Sequence, residues 1–292
     1  MTDTPDSSSG SQSYEGYVLD AENAAEMGRL MIQDQVITQS LGGPLPEQTD
    51  IADPSREYRI LDIGCGPGGW LFNVVQQYPH IHGIGIDISQ LMTEYATSIA
   101  ATNQLSNVHF RVMDATQPLN FPDNSFDMVN GRILIGFLLK DQWPALLAEC
   151  RRVTKPGGIL RLTEVEWGFT NSPAYDTYAG FGAMGTYQGG HSFSPHGRTY
   201  GITPMLRKLM LQAGYREVEQ RAHVVDYSAG TVAYESNTHN FLVFYKLFQP
   251  FLVQMGLATQ EELDQIHTQM EKEMRSEDFC AIDYYLTAWG RK

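Results

Sequence analysis

The densest run of chemistry-bearing positions is Leu61-Asp62-Ile63-Gly64-Cys65-Gly66-Pro67-Gly68-Gly69-Trp70. Glycines at 64, 66 and 68 lack a Cβ, so the backbone can turn tightly and approach a ligand closely, and a helix opening behind them offers free N–H groups. Read through Gly64, Gly66 and Gly69, the same run is a GxGxxG dinucleotide fingerprint. Asp87 follows at roughly the spacing where a nucleoside cofactor needs an acidic partner, because a carboxylate presents two oxygens to a vicinal diol. On this loop alone, a nicotinamide dinucleotide and another nucleoside cofactor are both open.

Further groups stand where open parallel sheets carry their sites, beyond the carboxyl ends of the strands. Glu164 and Glu166 end a predicted strand on one face, as candidates for a general base, for substrate binding or for capping a lid. His191 and His196, in Gly190-His191-Ser192-Phe193-Ser194-Pro195-His196, are candidate proton acceptors or ordinary loop residues. Tyr175 and Tyr178 nearby, with Tyr17 near the N-terminus, are candidates for an aromatic wall around a substrate or cation. Arg132 is an unusual charge before the apolar run Ile133 to Leu139, placed to hold an anionic group or to pair with an acid.

The elements that must position these groups alternate in type. A short apolar run at 58–63 reads as a buried strand, and 81–87, 108–113, 126–130 and 159–165 are further strand candidates, with helical stretches at 69–78, 89–102 and 141–154 between them. Such alternation builds an α/β fold with a parallel sheet covered on both faces. Before it, residues 20–41 have helical apolar spacing, with Asp20 as cap and Gly42-Gly43-Pro44 as stop. Behind it, 167–203 is crowded with Gly, aromatics, His and Pro without a period, which predicts a long structured insertion. Residues 203–213 read as a helix, 217–227 as a strand, 232–277 as two or three helices, and 282–289 as a terminal strand. The expected organisation is a tail over 1–13, a helical cap and linker over 14–55, and a cofactor-binding core over 56–166 that continues at 204–231. Lids are expected at 167–203 and 232–278, before the terminal strand of 279–292.

Further signals follow the glycine loop in order: Gly83-Ile84-Gly85-Ile86-Asp87-Ile88-Ser89, Met113-Asp114-Ala115, Phe126-Asp127-Met128-Val129 and Arg152-Val153-Thr154-Lys155-Pro156-Gly157-Gly158. In this order they resemble the class I S-adenosylmethionine-dependent methyltransferases, strongly over about residues 56–166. The resemblance implies a Rossmann-like sheet with an antiparallel terminal strand, an N-terminal helical cap and helical lid insertions. It also implies S-adenosyl-L-methionine as cofactor. Asp62 and the backbone at Gly64, Gly66 and Gly68 would lie by the methionine moiety, and Asp87 would accept both ribose hydroxyls. Ile88 would pack on adenine, Asp114 and Ala115 would meet its edge, and Asn130 would lie near the sulfonium. Many small-molecule enzymes of this kind carry a His in the helix after the fourth strand; here that stretch is Gly136-Phe137-Leu138, an apolar pocket wall.

Composition narrows the acceptor. With 20 Lys plus Arg against 34 Asp plus Glu, a net charge of −14 repels a phosphate backbone, so nucleic acid is disfavoured as partner. Cys65, Cys150 and Cys280 are too few and too scattered for a disulfide framework or a cysteine metal site, which fits a reducing, cytoplasmic setting, and no metal is expected. No apolar run reaches the roughly 18 to 20 residues a bilayer requires. The Ser-rich acidic start does not read as a signal peptide. The expected activity is methyl transfer to O, N or C of a small, partly apolar organic acceptor. The alternatives are a cofactor-binding protein of the same fold that does not methylate and, from the loop alone, an NAD(P)-dependent oxidoreductase.

Overall fold

The computed structural model describes residues 18–48, 51, 53 and 55–292. Tyr14, Tyr17 and the tail expected over 1–13 lie outside the described residues. Helix α1 (Ala24–Ser40) starts at Asn23, whose side chain accepts the Ala25 N–H at 2.8 Å, three residues beyond the expected cap. Asp20 instead accepts the Glu22 N–H at 3.0 Å. Gly42 and Gly43, at φ +87° and +125°, carry the chain out of the helix in a conformation that a Cβ would strain.

Three strand-helix units follow: β1 (Tyr58–Ile63) and α2 (Gly69–Gln77), β2 (Ile81–Asp87) and α3 (Gln90–Thr102), then β3 (Val108–Val112) leading to β4 (Phe126–Arg132) and α4 (Trp143–Val153). Next come β5 (Thr154–Val165), the short β6 (Phe169–Thr170), α5 (Pro173–Gln188), α6 (Leu206–Gln212) and β7 (Arg216–Asp226). Helices α7 (Tyr234–Gln254) and α8 (Gln260–Met274) precede the last strand, β8 (Ala281–Arg291). The sheet runs β3-β2-β1-β4-β5-β8, with β1 to β5 parallel, and β8 lies antiparallel between β5 and β7. The strand order reverses between β1 and β4, whose carboxyl ends therefore open a crevice.

Two apolar cores cover the sheet. On one side Trp143, Leu146, Leu147, Leu206 and Met210 of α4 and α6 pack on Leu61, Ile63, Val129 and Leu160; on the other, Trp70, Leu71 and Val74 of α2 pack on Ile60, Ile81 and Met128. This explains why β1, β2 and β4 are buried almost throughout, whereas β3, at the sheet edge, is mostly exposed.

The 167–203 stretch departs from the expected aperiodic insertion, because its centre is the 16-residue helix α5. Ser172 caps it, accepting the Tyr175 N–H at 3.0 Å, and Pro173 occupies the first turn, where its missing N–H costs nothing. Gly182 serves packing, since a Cβ there would stand 2.4 Å from the Trp167 ring. Helix α5 joins α7 and α8 around Tyr175, Tyr178, Tyr245, Phe248, Leu263 and Met270, so the two insertions form one helical unit with its own core.

Candidate active site

The glycine loop leaves β1 at Gly64 (φ +62°) and turns again at Gly66 (φ +51°) and Gly68 (φ +83°) before α2. Gly68 takes the cap position of α2, which has no side-chain cap, so the first N–H groups of that helix are left for other partners. Asp87, at the end of β2, accepts the Gly66 N–H at 2.8 Å and the Ser89 N–H at 3.0 Å, one on each carboxylate oxygen. Each oxygen keeps a second lone pair. Burial pushes the Asp87 carboxyl above its usual range, against those two backbone hydrogen bonds.

A cavity of about 890 Å³ opens over these strand ends. Asp62, Gly64, Gly66, Asp87, Ile88, Asp114 and Ala115 line it at one end. Asp114 uses Oδ1 to hold the Thr116 N–H at 2.8 Å and hydroxyl at 2.7 Å, which fixes the turn after β3. Two residues expected at the cofactor lie elsewhere. Gly68 does not reach the cavity wall; a Cβ there would meet the Phe110 ring at 2.7 Å, so its glycine is required by packing. Asn130 is buried behind the wall, donating to Asp62 at 2.7 Å and accepting from Arg161 at 2.9 Å.

Arg161 is itself buried and pairs with Glu47, so Glu47, Arg161, Asn130 and Asp62 form one chain of charge-assisted hydrogen bonds beneath the loop. Burial pushes the Asp62 carboxyl up to about 7, against the pull of the Arg132 guanidinium. Nothing in the sequence marks this chain, because its members come from four separate segments.

Arg132 resolves toward pairing. Its guanidinium meets Asp34 of α1 at 2.5 Å, and it also sits 5.9 Å over the Trp70 ring. Helix α1 is held at two further points: Glu22 accepts the Gln90 and Leu91 N–H groups at the start of α3, and Arg29 donates to Asn240 of α7 at 3.1 Å. Asp34, Arg29 and Leu30 line the cavity, and α1 therefore roofs the glycine loop.

The two acidic base candidates are engaged. Glu164 accepts the Leu134 N–H at 2.8 Å and the Ile135 N–H at 3.4 Å, and is fully buried outside the cavity. Those N–H groups belong to a short turn entered through Ile133 at φ +55°, a strained conformation for a β-branched residue, so Glu164 holds a strained turn in place. Glu166 lines the cavity yet accepts the Gly201 N–H at 2.9 Å and the Thr203 hydroxyl at 2.9 Å.

Of the lid candidates, His196 is exposed and away from the cavity, and Tyr178 is buried with its hydroxyl donated to the Tyr245 carbonyl at 2.5 Å. Both are corrected to loop and packing roles. Tyr175 and His191 do line the cavity. Burial holds the His191 imidazole below its usual range, against the Leu138 carbonyl 3.2 Å from Nδ1. Among the described residues, no group of three or more His, Cys, Asp or Glu is placed to hold a metal ion. No helix among them is long and apolar enough to cross a membrane.

Residues 60–158 match the family described as "Methyltransferase domain". Over 92 residues, 30% of this chain and 40% of the relative, the sequence is 41% identical to aklanonic acid methyltransferase DauC of Streptomyces sp. (strain C5). It is 34% identical over 118 residues to phosphoethanolamine N-methyltransferase of Triticum aestivum, covering 40% of this chain and 22% of that protein. The chain thus spans well under two thirds of the curated relatives it matches. Haemonchus contortus phosphoethanolamine N-methyltransferase 2, solved with phosphomonomethylethanolamine and S-adenosylhomocysteine, shares the fold at a TM-score of 0.53 and 17% identity, over 94% of this chain and 60% of that one. Residues 60–158 thus carry the methyltransferase domain that the order of their motifs implied.

Proposed function

We propose that this chain methylates a small organic acceptor enclosed between the glycine loop and the helical unit of α5, α7 and α8. The observation that carries the reading is one continuous cavity, from Asp87 and Asp114 at the strand ends to the aromatic side chains of α5 and α7.

The residues fit the cofactor. A close-approach turn without Cβ atoms at Gly64 and Gly66 admits the methionine end, and the spare lone pairs of Asp87 suit two ribose hydroxyls. Ile88, Met113 and Ala115 give an apolar slot for a flat base, with Asp114 at its edge. Asp62, steered by Asn130 and Arg161, stands by the amino-acid end. When bound, the cofactor supplies an electrophilic methyl group on a sulfonium. The chain's part is to orient the acceptor, exclude water and hold charge in place beforehand. Helix α1 roofs the cofactor end, and the helical unit closes the acceptor end as a lid.

The test is incubation with methyl-labelled S-adenosylmethionine in an extract containing both small molecules and macromolecules. Label is expected in the low-mass organic fraction. Label confined to protein or RNA would contradict the reading.

A further inference from the structure

Beyond the cofactor end, the cavity enters a chamber walled by Trp167, Tyr200, Phe241, Phe244, Phe251 and Tyr285. Trp167 and Tyr200 stack at 4.8 Å with their planes 19° apart, so this wall is flat and already packed. His191 reaches the same cavity from the turn after α5, with its ring buried. A carbonyl oxygen only accepts, so with Nδ1 3.2 Å from the Leu138 oxygen the proton sits on Nδ1 and the lone pair on Nε2. Nε2 makes no hydrogen bond among the described residues. Leu138 follows the turn that Glu164 fixes at the end of β4, which references the imidazole to the strand ends. The competing bases are spoken for: Glu164 and Glu166 hold backbone N–H groups, and Asp62 holds Asn130.

Resting on the methyl-transfer reading above, we infer that the chamber takes a flat aromatic acceptor bearing a neutral phenolic or enolic hydroxyl, and that His191 is its proton acceptor. The acceptor O–H breaks toward Nε2 and its electron pair stays on the oxygen that becomes methylated. The ring becomes imidazolium, its second N–H still held by the Leu138 carbonyl, and later returns the proton to water. Burial keeps the ring neutral before the acceptor arrives, which leaves the lone pair available. The three-residue span Gly136-Phe137-Leu138 contributes only apolar surface and a carbonyl, so the base comes from the lid and not from the segment after β4.

The test uses the full chain labelled with ¹⁵N-histidine and saturated with S-adenosylhomocysteine near pH 7.5, with 2-naphthol as probe and decahydro-2-naphthol as its non-aromatic counterpart. The His191 spectrum is expected to show a protonated Nδ1 and a bare Nε2, and 2-naphthol is expected to shift Nε2 and to bind about tenfold more tightly than the saturated alcohol. His191→Asn keeps an amide N–H for the Leu138 carbonyl; it should hold S-adenosylhomocysteine as the parent does and lose about fivefold or more in naphthol affinity. Equal binding of the two alcohols overturns the aromatic acceptor, and an unmoved Nε2 or undiminished naphthol binding by His191→Asn overturns the base. If S-adenosylhomocysteine itself does not bind, the methyl-transfer reading and this inference fall together; if it binds and Nε2 does not move, only this inference falls.

Discussion

Arg132, the last residue of β4, and Asp34, in the middle of α1, form an ion pair at 2.5 Å that fastens the N-terminal helix over the glycine loop. Both side chains are mostly buried, at 17% and 11% exposure, so removing one strands the other in a poor environment. Asp34→Ala is expected to weaken S-adenosylhomocysteine binding by about tenfold or more, from the loss of a charge-assisted hydrogen bond worth about 1.5 to 3 kcal/mol. Limited proteolysis should cut the 18–40 region faster in the variant. Parental affinity with a parental digestion pattern would show that the roof does not depend on this pair.

Asp87 holds the glycine loop and is the residue proposed for the ribose. Asp87→Ala frees the Gly66 and Ser89 N–H groups and removes the acceptor proposed for the ribose. Cofactor affinity should fall by about two orders of magnitude, with some loss of thermal stability, since two hydrogen bonds to a charged group are lost. Calorimetry on the folded variant is the check, and unchanged affinity would refute the ribose assignment.

Glu164 is expected to act on stability and not as a base. At pH 6, where Glu164 is neutral and its two oxygens still accept from Leu134 and Ile135, Glu164→Gln keeps one acceptor and sets an NH₂ against the other N–H, so it should lower stability by about 1 to 3 kcal/mol. Methyl-transfer rates normalised to folded protein should change by no more than a few-fold. A folded, fully stable variant without activity would restore Glu164 as a catalytic candidate.

Stability should fall as pH rises through neutrality. Burial raises the carboxyls of Asp62 and Asp283 to about 7 and of Glu164 to about 8. Below about pH 4 both folded and unfolded chains hold these protons; between there and about pH 8 the folded chain holds more of them. The slope of unfolding free energy against pH from these groups is therefore negative. Asp283 accepts from Asn237 at 3.0 Å through Oδ2, while its Oδ1 makes no hydrogen bond among the described residues. Asp283→Asn should thus raise the urea midpoint at pH 8 and flatten the decline. A midpoint that climbs from pH 5.5 to 8.5, or a variant less stable than the parent at pH 8, would contradict this assignment.

The cofactor half was legible because its signals are local. The strands of the parallel sheet other than the edge strand β3 are largely buried and apolar, and the turns behind β1, β2 and β3 carry their cavity-lining residues within a few positions of a strand end. The lid half was not. Helix α5 buries one face through Tyr175, Tyr178, Gly182 and Thr186, but that face includes glycine and threonine, which hides the apolar period that marks an amphipathic helix. The roles of Glu164 and Glu166 depended on backbone N–H groups 30 and 37 residues away, and spacing alone could not separate a cap from a base. Asp34 and the Glu47–Arg161 pair likewise act across 98 and 114 residues of sequence. His191 was named from a His-rich turn, and only the fold distinguishes it from His196 five residues on.

The central claim is that the cleft at Gly64, Gly66 and Asp87 holds a sulfonium nucleoside. Its most direct test is parallel calorimetric titration of the purified chain with S-adenosylmethionine, S-adenosylhomocysteine and NADH. The account predicts saturable one-site binding of the first two and no heat from NADH. Binding of NADH alone would contradict it and turn the glycine loop into a dinucleotide site.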